Sequence, residues 1–222
     1  MKYPSLAKKA NNLTYGLLYP AFFGNMIYDL ILQYFEPHHF RGVKFWNGLL
    51  IVFYYALDYI HLYGDLDESV GKNVENKSWL YIGCDALSSM LFFVSFVFLK
   101  YDFLNSSIFA IGLVPFVILG YKTKHRIHKT DLRWIYAFAA ISLVGIPLCI
   151  VVVTGEAKSL AYLIFLVVEL LYYGVYVLYY YGPALAKQID LNNASGAAAV
   201  AKMAAATEGE ENLDRNKNEG AL

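Results

Sequence analysis

The chain has 222 residues, of which 58% are hydrophobic and only 16% are charged, and it contains 20 tyrosines and 15 phenylalanines. Soluble globular domains are closer to half apolar and a quarter charged. The 18 basic residues balance the 18 acidic ones, so no nucleic-acid-binding surface is expected. Because the charged residues stand in short stretches between long apolar runs, the sequence predicts a multi-pass membrane protein whose main partner is the lipid bilayer.

Six apolar runs have about the 20 residues that a helix needs to cross a bilayer. Strands of a membrane β-barrel would instead alternate in polarity over about 10 residues. We therefore predict an all-α fold, with a six-transmembrane-helix bundle inside a domain at 12–183. The six predicted spans are 12–34, 43–63, 78–99, 103–121, 132–154 and 159–181.

The fourth and fifth predicted spans each contain an internal proline, Pro115 and Pro147. Membrane helices tolerate proline where neighbouring groups satisfy the freed carbonyl. The first span is interrupted by Asn25, Asp29 and Gln33. These polar residues favour a retained helix over a cleaved signal peptide.

Polar segments flank the predicted bundle on both sides. Residues 1–11 form the N-terminal segment. Residues 184–222 are alanine-rich and then acidic and polar, with no aromatic residue. Such a tail buries little apolar surface, so we predict that it is disordered. A solvated extension is favoured over a partner-binding tail, although partner binding stays open.

The lysines and arginines predict the orientation, because they are enriched in cytoplasmic loops. With six spans, both termini lie on one side. That side would hold most of the basic residues: Lys2, Lys8, Lys9, Lys72, Lys77, Lys122, Lys124, Arg126, Lys129, Arg133 and Lys187. The opposite side would hold Arg41, Lys44, Lys100 and Lys158. We therefore expect cytoplasmic N- and C-termini.

Ionisable residues inside the spans are the main functional signal, because a charge at mid-bilayer costs about 2.5–3.5 kcal/mol and usually marks function. Residues three or four apart share a helix face, which places serines beside Asp85 and tyrosines beside Glu169. The candidate polar core is Asp29, Asp58, His61, Asp85, Ser88, Ser89, Glu169 and Tyr172.

The depths of these residues predict a staggered column across the membrane. At about 1.5 Å per residue, Glu169 lies near the middle of its span and Asp29 towards the outer side. Asp85, Asp58 and His61 lie progressively towards the cytoplasmic side. Whether these residues also lie close to one another in the plane of the membrane depends on how the helices pack.

Three functional hypotheses fit such a column. The first is transport of a small solute or ion, coupled to protons through the buried acids, with His61 at the cytoplasmic end because an imidazole has an unperturbed pKa of about 6.5. The second is a metal-dependent lipid-modifying enzyme, with Asp58, His61 and Asp85 as ligands. The third is a non-catalytic scaffold whose acids bond tyrosines to fix helix packing.

The motifs of common enzyme classes do not occur in the sequence. It contains no phosphate-binding Gly-rich loop followed by Lys, no G-x-S-x-G motif and no H-E-x-x-H motif. It therefore identifies no cofactor and no catalytic residue, and transport is favoured over catalysis. Homo-oligomer formation stays open.

Overall fold

The computed structural model describes residues 13–35, 42–70, 79–124, 129–155 and 157–179. All regular structure within these ranges is helical, which confirms the all-α prediction. The predicted N-terminal segment 1–11 and tail 184–222 lie outside the described residues. The chain divides into two compact units, Met1–Val177 and Leu178–Leu222. Of the second unit the structure describes Leu178 and Tyr179, both exposed.

Seven α-helices follow one another in the described ranges: α1 (Tyr19–Phe35), α2 (Val43–Val70), α3 (Trp79–Lys100), α4 (Leu104–Gly112), α5 (Val114–Lys124), α6 (Lys129–Pro147) and α7 (Ala157–Tyr179). A π-helical segment precedes α1 at Thr14–Leu18, and another follows α6 at Leu148–Val152.

Within the part of the chain that the structure describes, three helical stretches are long and apolar enough to cross a membrane, and they indicate membrane insertion. They are Ile82–Lys100, Leu132–Val152 and Ala157–Tyr179. A shorter apolar stretch covers Leu104–Gly120. α2 has 28 residues but also carries lysine, asparagine, aspartate and several tyrosines, which lower its mean hydropathy.

The fourth predicted span is broken into α4 and α5 at Leu113. Pro115 has no amide hydrogen, so it cannot donate to the carbonyl one turn before it. The amides of Phe116 and Val117 both donate to the Leu113 carbonyl at 3.1 Å, which starts α5 anew. After Pro147 the chain instead widens into the π-helical segment.

α1 and α3 lie side by side and run in the same direction. The Tyr15 hydroxyl donates to Asp85, and the rings of Phe22 and Phe93 stack with centroids 4.4 Å apart. Further along both helices, Lys100 Nζ donates to Asp29 Oδ2 at 2.9 Å. The contacts advance together in the two sequences, which defines the parallel arrangement.

α2 and α7 are a second parallel pair. Asn47 Nδ2 donates to the Ser159 carbonyl at 3.2 Å near the start of both helices. His61 and Tyr173 meet further along. By contrast, α6 and α7 are antiparallel, because Trp134 contacts Tyr172 whereas Gly145 lies against Phe165.

Gly145 permits the close approach of α6 to α7. A Cβ atom at this position would lie 2.3 Å from Cε2 of Phe165, a buried ring. Gly112 serves α4 in the same way, because its Cβ would lie 2.5 Å from Ile146. Gly120 has open space around it, so a Cβ atom at this position would not meet a neighbouring residue.

Gly145→Ala should therefore destabilise the bundle. Overpacking against a fixed ring costs about 1–3 kcal/mol, and thermal unfolding of detergent-purified protein would measure the loss. The control is Gly120→Ala, which adds the same methyl group to open space. Equal unfolding temperatures for the two variants would contradict the close contact.

Candidate functional site

Asp58 accepts hydrogen bonds from three other helices. Its Oδ2 accepts from the Tyr19 hydroxyl of α1 at 3.0 Å and from Ser88 Oγ of α3 at 3.3 Å. Its Oδ1 accepts from the Tyr173 hydroxyl of α7 at 2.9 Å. The carboxyl is 1% exposed, so these hydroxyls replace the water that it would otherwise bind.

His61 lies one turn beyond Asp58 on the same face of α2. Its Nδ1 is 2.5 Å from the Tyr173 oxygen. A tyrosine hydroxyl has one proton, and Tyr173 donates that proton to Asp58. With Tyr173 donating to Asp58, the His61 tautomer that completes the contact has its proton on Nδ1 and donates it to Tyr173, which gives an oriented chain from His61 through Tyr173 to Asp58.

Asp85 is joined to the same cluster through α1. The Tyr15 hydroxyl donates to Asp85 Oδ2. The Tyr19 hydroxyl, which reaches Asp58, also lies 3.2 Å from the Asp85 carbonyl. The rings of Tyr15 and Tyr19 stack with centroids 5.9 Å apart. Tyr15, in the π-helical segment before α1, and Tyr19, four residues later at the start of α1, thus connect the acids of α2 and α3.

Glu169 lies in the same buried interior on α7. The Ser142 hydroxyl of α6 donates to Glu169 Oε1. Tyr54 of α2 interacts electrostatically with both Glu169 and Asp58, and its ring lies 5.6 Å from that of Tyr173. Tyr54 therefore stands between the Glu169 carboxyl and the Asp58 cluster.

These side chains form what we call the carboxyl network, and all of them are buried. Its members are Tyr15, Tyr19, Tyr54, Asp58, His61, Asp85, Ser88, Ser142, Glu169 and Tyr173. The structure thus brings together three of the four acids and the histidine that the sequence singled out. Hydroxyl groups donate to all three carboxyl side chains.

Asp29 lies apart from the carboxyl network. It forms an ion pair with Lys100 at 2.9 Å, and the two side chains are 25% and 19% exposed. This pair is at the bundle end that also contains Lys44, whose Nζ is 2.5 Å from Asp102 Oδ1. Asp29 is therefore part of a polar end of the helices and not of the buried column.

Two other predicted residues, Ser89 and Tyr172, form hydrogen bonds outside the carboxyl network. Ser89 bonds the Tyr55 hydroxyl at 2.7 Å, and Tyr55 in turn donates to the Tyr19 carbonyl at 3.0 Å. Tyr172 is half-buried and donates to the Trp134 carbonyl at 3.0 Å. On α7 it is thus Tyr173, and not Tyr172, that contacts the acid network.

Sequence reasoning missed Tyr15, Tyr19 and Ser142 as members of the network. The first two are four residues apart, on one face of the first predicted span. Ser142 is the one polar side chain between Tyr136 and Pro147. A single hydroxyl in so apolar a run is a signal that could have been used, because the membrane interior offers it few partners.

A three-ligand metal site is not found in the part of the chain that the structure describes. No three His, Cys, Asp or Glu side chains within 13–35, 42–70, 79–124, 129–155 and 157–179 are grouped to hold a metal ion. The hypothesis that Asp58, His61 and Asp85 form such a centre thus gains no support from their positions.

Comparisons with known proteins found no matching family model, no similar curated protein and no similar solved structure.

Tyr173→Phe should destabilise the protein, because it removes a donor to Asp58 and the partner of His61 while leaving both groups buried. Losing such a bond in a membrane bundle costs about 1–2 kcal/mol, measurable by thermal unfolding in detergent. The control is Tyr136→Phe, at an exposed tyrosine of α6. Equal stability of the two variants would show that the Tyr173 hydroxyl does not hold the helices together.

Proposed function

We propose that this chain is a six-span membrane transporter that moves a small solute or ion, with proton coupling through Glu169, Asp58 and Asp85. The observation that carries the proposal is the carboxyl network itself. Three carboxyl groups and an imidazole from three helices are buried together and connected by tyrosine hydroxyls. Buried ionisable groups of this kind mark ion pathways and proton relays in membrane proteins.

The chemistry of the network suits proton movement. A carboxyl group exists with or without a proton, and a hydroxyl group both donates and accepts a hydrogen bond. Asp58, Tyr173 and His61 are in direct hydrogen-bond contact, so a proton that leaves one group has an acceptor next to it. Such transfers need no large movement of the backbone.

The helix directions support six spans. The parallel pair α1–α3 corresponds to the first and third predicted spans. The parallel pair α2–α7 corresponds to the second and sixth. The antiparallel pair α6–α7 joins consecutive spans. Alternating crossings of a bilayer produce this pattern when α4 and α5 together count as one crossing.

The positions of the lysines support cytoplasmic termini. Lys44, Lys100 and Lys158 lie at one end of the helices, where Lys44 donates to the Lys100 carbonyl at 3.2 Å and Lys158 to the Ile150 carbonyl at 3.1 Å. Lys129 and Arg133, in the first turns of α6, lie towards the opposite end, because the adjacent Trp134 contacts Tyr172 in the second half of α7. By the positive-inside rule, the end with fewer basic residues faces away from the cytoplasm.

The orientation predicts opposite labelling of two single-cysteine variants, Arg133→Cys and Thr154→Cys, made with Cys84→Ser and Cys149→Ser. In sealed microsomal vesicles, whose outer face is cytoplasmic, an impermeant maleimide should label the Arg133→Cys variant. It should label the Thr154→Cys variant only after detergent. The reverse pattern would invert the topology, and equal labelling of both without detergent would contradict a crossing between them.

Glu169→Gln should abolish most of the charge movement that a pH jump produces. In proteoliposomes on a solid-supported membrane, a pH step drives protons on or off the buried acids, and the resulting current needs no known substrate. We expect at least about a tenfold smaller current in the variant, equivalent to about 1.4 kcal/mol. The control is Asp29→Asn, an acid of similar type outside the network, which should keep the wild-type current.

The same measurements separate the other hypotheses. If the wild-type protein gives no current while the Tyr173→Phe variant loses stability, the network has the structural role of the scaffold hypothesis. If Glu169→Gln and the wild type give equal currents, Glu169 has no part in proton coupling.

A further inference from the structure

The contact between α2 and α7 contains buried polar atoms that no hydrogen bond satisfies. Among the described side chains, these include Asn47 Oδ1, and also the Tyr54 hydroxyl and Glu169 Oε2, which interact with each other without reaching normal hydrogen-bond geometry. All three residues are 0% exposed. A buried polar atom in this state is costly, and water molecules commonly satisfy such groups in proteins.

These atoms continue the carboxyl network towards the end of the helices that contains Lys44 and Lys158. This is the end at which the sequence predicts fewer basic residues. Asn47, Tyr54, Asp58 and His61 follow one another along α2 at helical spacings of seven, four and three residues. At about 1.5 Å per residue, the series covers roughly 21 Å. The hydrocarbon core of a bilayer is about 30 Å thick, so the series covers most of its depth.

Apolar side chains separate Asn47 from the rest of the series. Ile51 lies one turn from both Asn47 and Tyr54 on α2, and Leu166 lies one turn before Glu169 on α7. Both are 0% exposed. On α2, the buried Ile51 side chain therefore separates Asn47 from Tyr54 and the acids beyond it.

We infer that the α2–α7 interface is the proton route of the transporter, with Asn47 at its outer end and the buried Ile51 side chain as its apolar barrier. The inference rests on the proposed function and specifies it: the coupling ion is a proton carried by water and hydroxyl groups. Tyr54, Tyr173 and His61 stand ring against ring, with centroids 5.5–5.6 Å apart, which suits single protons better than a hydrated metal cation.

The transfer conserves protons at each hydroxyl group. A hydroxyl oxygen that accepts a proton from one neighbour releases its own hydroxyl proton to the other neighbour. Tyr173, between Asp58 and His61, is placed for this exchange by direct hydrogen bonds, whereas Tyr54, between Glu169 and Asp58, takes part through bridging water. Neither tyrosine gains or loses net charge when a proton passes.

The other groups that face the route are few on the described elements. Glu169 interacts with Cys149, on the π-helical segment after α6, and with Tyr162 of its own helix. Asp58 also faces Tyr19 of α1 and Tyr55 of its own helix. His61 faces Tyr176 at a centroid distance of 5.6 Å.

The test compares Asn47→Leu with Ser95→Ala in the pH-jump experiment. Ser95 is also fully buried, but it bonds Ser107 and Tyr162, neither of which carries the proton in the proposed route. We expect Asn47→Leu to lower the current about tenfold, a change of about 1.4 kcal/mol in the barrier, and Ser95→Ala to leave it unchanged. Asn47→Ser, which keeps a hydroxyl group, should restore most of the current.

The barrier is tested by passive proton leak into liposomes that contain a pH-sensitive dye. Ile51→Ser should raise the leak about tenfold, whereas Ile108→Ser, at an equally buried position on α4, should not.

A wild-type current that Asn47→Leu leaves intact would overturn the route and spare the proposed function. A wild-type protein without current would overturn both. Equal leak in the two serine variants would overturn the barrier.

Discussion

The hydrogen bonds to Asp58 are the interactions on which the arrangement of four helices depends. A carboxyl group in the apolar interior of a membrane is unfavourable without hydrogen-bond donors. A tyrosine hydroxyl group there also needs a hydrogen-bond partner. Tyr19, Ser88 and Tyr173 meet both needs at one point and thereby connect α1, α3 and α7 to α2. Sliding any of these helices by one turn would leave a polar group without its partner, so the carboxyl group sets the register of the bundle.

The sequence was sufficient to predict the all-α class and the inward faces of three acids, because both follow from local spacing along a helix. It was not sufficient to predict lateral pairing. Asp29 has the same spacing to its polar neighbours as the other acids, yet it meets Lys100, because α1 and α3 run in the same direction. The break at Leu113 also depends on more than the presence of proline, since Pro147 is followed by a π-helical segment instead. Among 20 tyrosines, position alone does not tell which hydroxyls reach an acid.

The proposed coupling to protons, and not to divalent cations, agrees with the ligand chemistry of the interior. Divalent ions in oxygen sites take several carboxylate or carbonyl oxygens around one point. Here Tyr54 interacts with both Glu169 and Asp58, and each carboxyl group accepts hydrogen bonds from hydroxyl groups. The interior is tightly packed where α6 meets α7 at Gly145, but it retains unsatisfied oxygens where α2 meets α7. Close packing and unsatisfied oxygen atoms thus lie on different faces of α7, the first towards α6 and the second towards α2.

The orientation of the His61–Tyr173–Asp58 chain has a consequence for the timing of any cycle. The Tyr173 hydroxyl proton points towards Asp58, and the passage of one proton from His61 to Asp58 would leave it pointing towards His61. A second proton could not follow in the same direction until this hydroxyl had rotated back. Under the proposed function, each transfer would therefore be tied to a separate reorientation of the Tyr173 hydroxyl.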